Sequence, residues 1–188
     1  METKNTIPLW LAVAITVVVS LPFGLWLKEW NVPLWAAFVV WAEYFALGAK
    51  PDALKIMVPA YILGVIGAVL VLILMVALQK AIPDVKLVSA TDVAIAIAFF
   101  IGFCVLVYAM KWFPVTQTGT LPFFNGISIG LATYFVFPIF AKYGGLDFGS
   151  DYLIPVITGI PAILAGLLGA FLGWFNIVIL FPREVPKS

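Results

Sequence analysis

The stretch VPLWAAFVVWAEYFALG, residues 32–48, is the part of the chain from which the fold is best argued. It is apolar enough to enter a membrane, but it is short for a helix that must cross one, which needs roughly 20 residues. It also places a carboxylate, Glu43, inside an apolar segment. A second stretch, residues 121–140, resembles it and is interrupted by prolines and glycines. Together the two stretches predict short or broken membrane helices.

The composition of the whole chain supports a membrane protein. Of the 188 residues, 64% are hydrophobic and 10% are charged, whereas soluble domains average about 25% charged and 45–50% apolar residues. Several separate apolar runs reach spanning length. We therefore predict an all-α polytopic membrane protein, with residues 1–188 forming a single transmembrane domain and the lipid bilayer as its surroundings.

Hydropathy divides the chain into six predicted membrane helices. They cover residues 7–27, 33–47, 56–78, 93–110, 121–140 and 153–181. Thr91 or Asp92 is expected to cap the fourth helix, and residues 116–120 and 143–152 are expected to be loops. The second helix is below the usual spanning length, so a re-entrant or interfacial segment is the alternative to a short span.

The order of long and short segments predicts two three-helix repeats, residues 7–78 and 93–181, joined by a connector at 79–92. The tetrapeptide AEYF at residues 42–45 matches ATYF at residues 132–135, and Pro59 is matched with Pro155. Because each repeat would cross the membrane three times, the second would enter from the opposite side. The predicted architecture is therefore an inverted repeat, as in many transporters.

Lysine and arginine positions predict the orientation. With six spans, one side carries Lys4, Lys50, Lys55, Lys111, Arg183 and Lys187, and the other carries Lys28, Lys80, Lys86 and Lys142. The positive-inside rule then predicts that both termini are cytoplasmic. If the two short segments are re-entrant, the charges balance and predict no orientation.

The apolar motifs resemble those of a known family. The residues WAAF at 35–38 and YFA at 44–46, followed by IG at 129–130 and Phe135, are similar to the signature of small bacterial inner-membrane proteins with domain of unknown function 1097. The resemblance covers residues 7 to about 174. It implies a six-helix fold and a location in the bacterial inner membrane, and it implies no activity.

Glu43 is the first candidate for function, because a carboxylate at membrane depth is costly unless it is paired, hydrated or protonated. It could bind a cation or a proton, or accept hydrogen bonds from a solute. The alternative is that it lies near the headgroups and pairs with Lys50 or Lys55. Glu43 stands where the family pattern has a small residue, so the resemblance implies no acid-dependent mechanism.

Polar residues in the second short segment are the next candidates. Asn125 and Ser128 share a helix face, with Thr133 close to it, so they could line a polar seam facing Glu43. Tyr44 and Tyr134 recur beside the two segments and complete the predicted solute- or ion-binding set. The alternative is that the polar residues hydrogen-bond between helices or to backbone freed by Pro122.

Small residues predict close helix contacts, which membrane proteins use in place of hydrophobic burial. The predicted helix-packing residues are Gly64, Gly67, Gly166, Gly169 and Gly173. Such rows could pack helices of one chain, assemble a homo-oligomer or dock another membrane protein.

The sequence also argues against several functions. It has no histidine and one cysteine, Cys104, and Asp147 with Asp151 supplies too few ligands for a metal, so we expect no enzyme activity, cofactor or metal. A net charge of +1 gives no reason to expect a nucleic-acid partner. We predict a channel or transporter for a small polar solute, with a site between the two broken segments. The alternatives are a proton- or cation-coupled transporter that uses Glu43, and an accessory subunit that docks a partner through small-residue helix faces.

Overall fold

The computed structural model of the protein describes residues 2–27, 31–83, 89–136 and 151–185. Within these ranges the chain forms seven α-helices and two short strands. The helices are α1 (Leu9–Leu25), α2 (Leu34–Ala46), α3 (Pro51–Ala81), α4 (Ala90–Ala109), α5 (Pro114–Thr118), α6 (Thr120–Val136) and α7 (Leu153–Ile179). The strands are β1 (Glu2–Asn5) and β2 (Pro182–Val185).

Each predicted membrane segment corresponds to an apolar helix. Three of them, α3, α4 with its following turn, and α7, are long and apolar enough to cross a membrane, whereas α1, α2 and α6 are shorter. A membrane protein is therefore the class that the helices indicate. Most of the predicted loop at 143–152 and the end of the predicted segment 121–140 lie outside the described residues.

Two local predictions were wrong. Ser89, not Thr91 or Asp92, caps α4, because its hydroxyl oxygen accepts a hydrogen bond from the Asp92 backbone N–H at 3.1 Å. Residues 116–120 are not a loop but belong to α5 and the start of α6. There Pro114 occupies the first turn of α5, where its missing N–H costs nothing.

The terminal tails pair with each other, which the all-α prediction did not include. β1 and β2 run antiparallel, with Glu2 opposite Val185 and Asn5 opposite Pro182. Just inside them, the Thr6 backbone N–H donates to the Leu180 carbonyl at 3.0 Å. The start of α1 and the end of α7 therefore lie at the same end of the helix bundle, which we call the terminal end.

α2 runs parallel to α7 along a contact that glycines permit. A Cβ atom at Gly169 would meet the backbone of Ala37, and further along a Cβ at Gly173 would lie 2.7 Å from the Cβ of Tyr44. Because both pairs advance in the same chain direction, the two helices point the same way, towards the terminal end.

α3 runs parallel to α6 along the second glycine contact. A Cβ at Gly64 would lie 3.0 Å from the Cα of Gly126, and a Cβ at Gly130 would lie 2.8 Å from the Cβ of Ala68. A side chain at either glycine would push the backbones apart, so the small residues set how closely these helices approach.

α1 and α4 lie at the outside of the bundle, and each runs antiparallel to the helix that it contacts. α4 lies against α3, where Gly102 faces Val71 and Gly67 faces Leu106. α1 lies against α7, where Thr16 bonds to Asn176. The chain therefore reverses direction at each of α1, α2, α3, α4, α6 and α7.

The turn after α2 shortens that helix and starts α3 earlier than predicted. Gly48 has φ 91° and Ala49 has φ 53°. The Ala49 N–H donates to the Tyr44 carbonyl and the Gly48 N–H to the Phe45 carbonyl, both at 3.0 Å. This is a Schellman motif with glycine in the left-handed conformation.

We expect Gly48→Ala to lower the free energy of unfolding by about 1 kcal/mol, because a Cβ disfavours the left-handed conformation. Unfolding of the purified protein in detergent measures the change. Gly48→Asn is the control and should lose less, because asparagine tolerates this conformation. Equal stability of the alanine variant and the wild type would contradict the assignment.

Candidate functional site

Glu43 is buried inside the bundle, one turn before the end of α2. Its side chain is 3% exposed, and it is the one charged residue among the buried polar residues of the described chain. Neither carboxylate oxygen has a hydrogen-bond partner among these residues. A buried carboxylate in this state is costly, so its environment is incomplete without a proton, a water or a ligand.

The alternative of a Glu43 ion pair with Lys50 or Lys55 is wrong. Lys55 bonds instead to Asp52 at 2.7 Å, and both side chains are highly exposed. Lys50 is exposed as well, and no ion pair joins it to Glu43 within the described ranges. The carboxylate does not reach the surface at the start of α3.

Two side chains from other helices interact with the Glu43 carboxylate, Asn125 by hydrogen bonding and Tyr61 electrostatically. Asn125 of α6 lies close enough for a hydrogen-bonding interaction with Glu43, although not at full hydrogen-bond geometry. Tyr61 of α3 lies within electrostatic range, and its hydroxyl donates to the Ala162 carbonyl of α7 at 2.9 Å. We call Glu43, Asn125 and Tyr61 the central polar site.

The position of Tyr61 depends on a glycine in α7. A Cβ at Gly166 would overlap the Tyr61 ring, so glycine leaves the space in which the ring lies. Tyr61 is 2% exposed. Its hydroxyl proton is donated to the Ala162 carbonyl, and the hydroxyl oxygen keeps a lone pair that can accept a further hydrogen bond. The site thus has several acceptors and few free donors.

The other predicted site residues lie elsewhere. Ser128 is exposed, so it faces away from the interior. Thr133 is buried, and its hydroxyl donates to the Ile129 carbonyl of its own helix at 2.7 Å. It lies about 12 Å from Asn125 along the axis of α6, at 1.5 Å per residue. The predicted seam of three residues therefore reduces to Asn125 at the level of Glu43.

The two predicted tyrosines differ in environment. Tyr44 is fully buried beside Gly173 of α7, and its hydroxyl has no partner among the described residues. Tyr134 is half-buried, packs on the cluster around Val71 and meets the Phe135 ring edge-on at 5.1 Å. Tyr44 shares a buried cluster with Tyr61, whereas Tyr134 belongs to a different cluster.

All five predicted helix-packing glycines lie against neighbouring helices. Gly64 meets α6, Gly67 meets α4, Gly166 meets α3, and Gly169 and Gly173 meet α2. These small residues hold together helices of one chain, and they are buried within it. Gly166 also shapes the central polar site, through the Tyr61 ring.

A second buried polar contact was not predicted. The Asn176 side-chain N–H of α7 donates to the Thr16 hydroxyl of α1 at 2.9 Å, and that hydroxyl donates to the Ala12 carbonyl at 2.8 Å. The Asn176 carbonyl oxygen and the Trp41 indole N–H have no partner in the described chain. This contact joins α1 to α7.

Two cavities border α3, and both are almost entirely apolar. One, of about 230 Å³, lies between α3 and α4. The other, of about 210 Å³, lies between α3 and α7. Glu43 and Asn125 line neither cavity, so the central polar site is closed off from both. Among the described residues, no group of three or more His, Cys, Asp or Glu side chains could hold a metal ion.

The apolar helices, three of them long enough to cross a membrane, indicate a helical membrane protein. Residues 6–179 match the family model described as protein of unknown function (DUF1097). The chain therefore belongs to that family, which confirms the resemblance seen in the short segments. No curated protein and no solved structure matches the chain.

Proposed function

We propose that the protein carries a small polar solute across a membrane, through a site where its two halves meet. The observation that supports this is Glu43, a buried carboxylate with both oxygens unbonded. It interacts with Tyr61 of its own half and with Asn125 of the other half. A stable bundle gains nothing from an unsatisfied carboxylate, whereas a transport site needs open polar atoms inside the bundle.

A closer internal match than Pro59 with Pro155 supports two repeats. The segment PAYILGVIGAVL, residues 59–70 of α3, matches PAILAGLLGAFL, residues 161–172 of α7. The shared pattern is P-A, then G, then G-A and a final L, at identical spacing. The match pairs the third helix of each half, as an internal duplication requires.

The packing supports an inverted relation of these repeats. In each half the short second helix packs parallel to the third helix of the other half. α2 lies beside α7, and α6 lies beside α3. The outer helices α1 and α4 also pack on α7 and α3 respectively. An approximate two-fold axis in the membrane plane would produce this exchange.

Six crossings are consistent with the helix directions. The chain reverses at each of six apolar helices, and its tails meet at the terminal end, so the number of crossings is even. The terminal end also begins α3, with Lys50 and Lys55. By the positive-inside rule this end is cytoplasmic, and by the family resemblance the membrane is a bacterial inner membrane.

The central polar site is asymmetric about the proposed axis. With the two matches above, Glu43 corresponds to Thr133, Asn125 to Trp35, and Tyr61 to Ile163. The polar set therefore occurs once, near the terminal end. One binding site per chain follows, where perfect symmetry would give two.

The closed surroundings of the site favour a carrier over an open channel. Glu43 is 3% exposed, so this conformation is occluded. Solute access then requires movement of one half against the other, which the glycine contacts between α2 and α7 and between α3 and α6 would permit.

An accessory subunit is the second candidate, because the described cavities do not reach Glu43. Such a subunit would dock a partner, or a second copy of itself, through an apolar helix face. α4 offers one, with Phe100 73% and Tyr108 61% exposed. An accessory protein would support no flux alone, so a flux measurement separates the two candidates.

The test is solute flux in proteoliposomes that contain the purified protein. We expect flux of at least one small solute, and we expect Asn125→Leu to reduce it at least tenfold. Ser128→Ala is the matched control on the same helix, because Ser128 is exposed, and it should keep wild-type flux. No flux across neutral and ionic solutes, or equal flux in both variants, would contradict the proposal.

A further inference from the structure

The negative charge of the central polar site has no positive partner among the residues that the structure describes. The charged residues nearest to Glu43 in the sequence are Lys50, Asp52 and Lys55, and all three are exposed or paired at the surface. Asn125 and Tyr61 carry no positive charge. A bound anion would face the carboxylate directly, and with a neutral solute the Glu43 carboxyl group would have to take up a proton to avoid a cost of several kcal/mol. A cation would remove that cost.

The hydrogen-bonding inventory of the site calls for a ligand that donates. Glu43 offers two oxygens, and Tyr61 offers a lone pair because its O–H bond goes to Ala162. Asn125 can add its amide oxygen. These acceptors come from α2, α3 and α6, and the Asn125 NH2 group is the one free donor among the three side chains. A cation with several N–H bonds supplies the missing donors and the missing charge together.

The buried cluster to which Tyr61 belongs favours a weakly hydrated organic cation over a metal ion. Tyr44 and Tyr61 share a buried cluster with Met57 and Val40. Aromatic faces attract desolvated ammonium groups, whereas a hard metal cation needs about six oxygen ligands or retained waters.

We infer that the central polar site binds a small monocation with N–H donors, of the ammonium and alkylammonium class. This inference rests on the proposed function, because it names the solute of the same site. Glu43 supplies the opposite charge, Asn125 and Tyr61 accept the remaining N–H bonds, and the Tyr44 and Tyr61 rings replace part of the hydration shell.

Equilibrium binding tests the inference without relying on transport. Thermal unfolding of the purified protein is followed in ammonium, methylammonium, sodium and acetamide solutions, with ionic strength held constant. We expect ammonium and methylammonium to raise Tm in a saturable manner, because a ligand of the folded state stabilises it. Sodium and acetamide should leave Tm unchanged. Equal effects of sodium, or stabilisation by acetamide alone, would overturn the inference.

Two variants and one control locate the effect. Glu43→Gln should abolish the ammonium-dependent rise in Tm. Asn125→Leu should require an ammonium concentration at least tenfold higher for the same rise. Thr133→Val, the corresponding position of the other half, should retain it. A rise that survives in Glu43→Gln would overturn the assignment. If Glu43→Gln does not fold, the Asn125→Leu variant provides the test. A wild-type rise in Tm with ammonium in that variant would overturn the assignment.

The binding and flux results separate the two proposals. Ammonium binding that depends on Glu43, without flux of any solute, supports the ligand class and contradicts transport. Flux of acetamide, without ammonium binding, supports transport and contradicts the ligand class.

Discussion

A Gly64→Ala variant is expected to lose about 2 kcal/mol or more of its free energy of unfolding. A Cβ at this position would overlap the Phe123 carbonyl oxygen and lie 3.0 Å from the Cα of Gly126. Both obstacles are backbone, which cannot move without shifting α6 as a whole. Overpacking of this kind costs roughly 1–3 kcal/mol in well-packed interiors. Unfolding in mixed detergent micelles, followed by circular dichroism, measures the loss.

Gly67→Ala is the matched control, one turn along the same helix. There a Cβ would meet only the Leu106 side-chain methyls, at 2.8 and 3.2 Å, and a flexible side chain can move aside. The helix propensity of alanine, better than that of glycine by roughly 1 kcal/mol, offsets that adjustment. We expect near wild-type stability. Equal losses of stability in both variants would show that the contact of α3 with α6 is no tighter than its contact with α4.

The helices were predictable from hydropathy because burial in lipid requires every backbone group to bond within its own helix. Their ends were less predictable. Ser89, rather than Thr91, caps α4. A capping residue has a non-helical backbone, and its side-chain oxygen accepts a hydrogen bond from the backbone N–H three residues later. The pairing of the two tails could not be predicted, because it depends on α1 and α7 meeting at one end.

The central polar site was predictable in part. Glu43 stood out because charged side chains are rare in apolar segments, and Asn125 because it is polar in an apolar segment that contains prolines and glycines. Ser128 failed because Gly126, Ile129 and Gly130 form the face that packs inward, and Ser128 lies outside it. Tyr61 was missed, although it is a tyrosine deep in a long apolar helix, and such a hydroxyl needs a buried partner.

Glu43→Leu is expected to separate function from stability. The wild-type carboxylate is buried without a hydrogen-bond partner, and such a group costs about 1–3 kcal/mol or more. Leucine is close in size and has no polar atoms to satisfy. We therefore expect the variant to be more stable than the wild type by about that amount, and to support no solute flux.

A carboxylate that serves the structure would give the opposite result. If Glu43 were held by partners that stabilise the bundle, leucine would leave those partners unpaired, and the free energy of unfolding would fall. Glu43→Gln completes the comparison, because it keeps the shape and hydrogen-bonding capacity and removes the charge. Higher stability of Glu43→Leu, with flux lost in both variants, identifies a charge kept for transport at a cost to the fold. Lower stability of Glu43→Leu, or flux retained in it, would rule out that role.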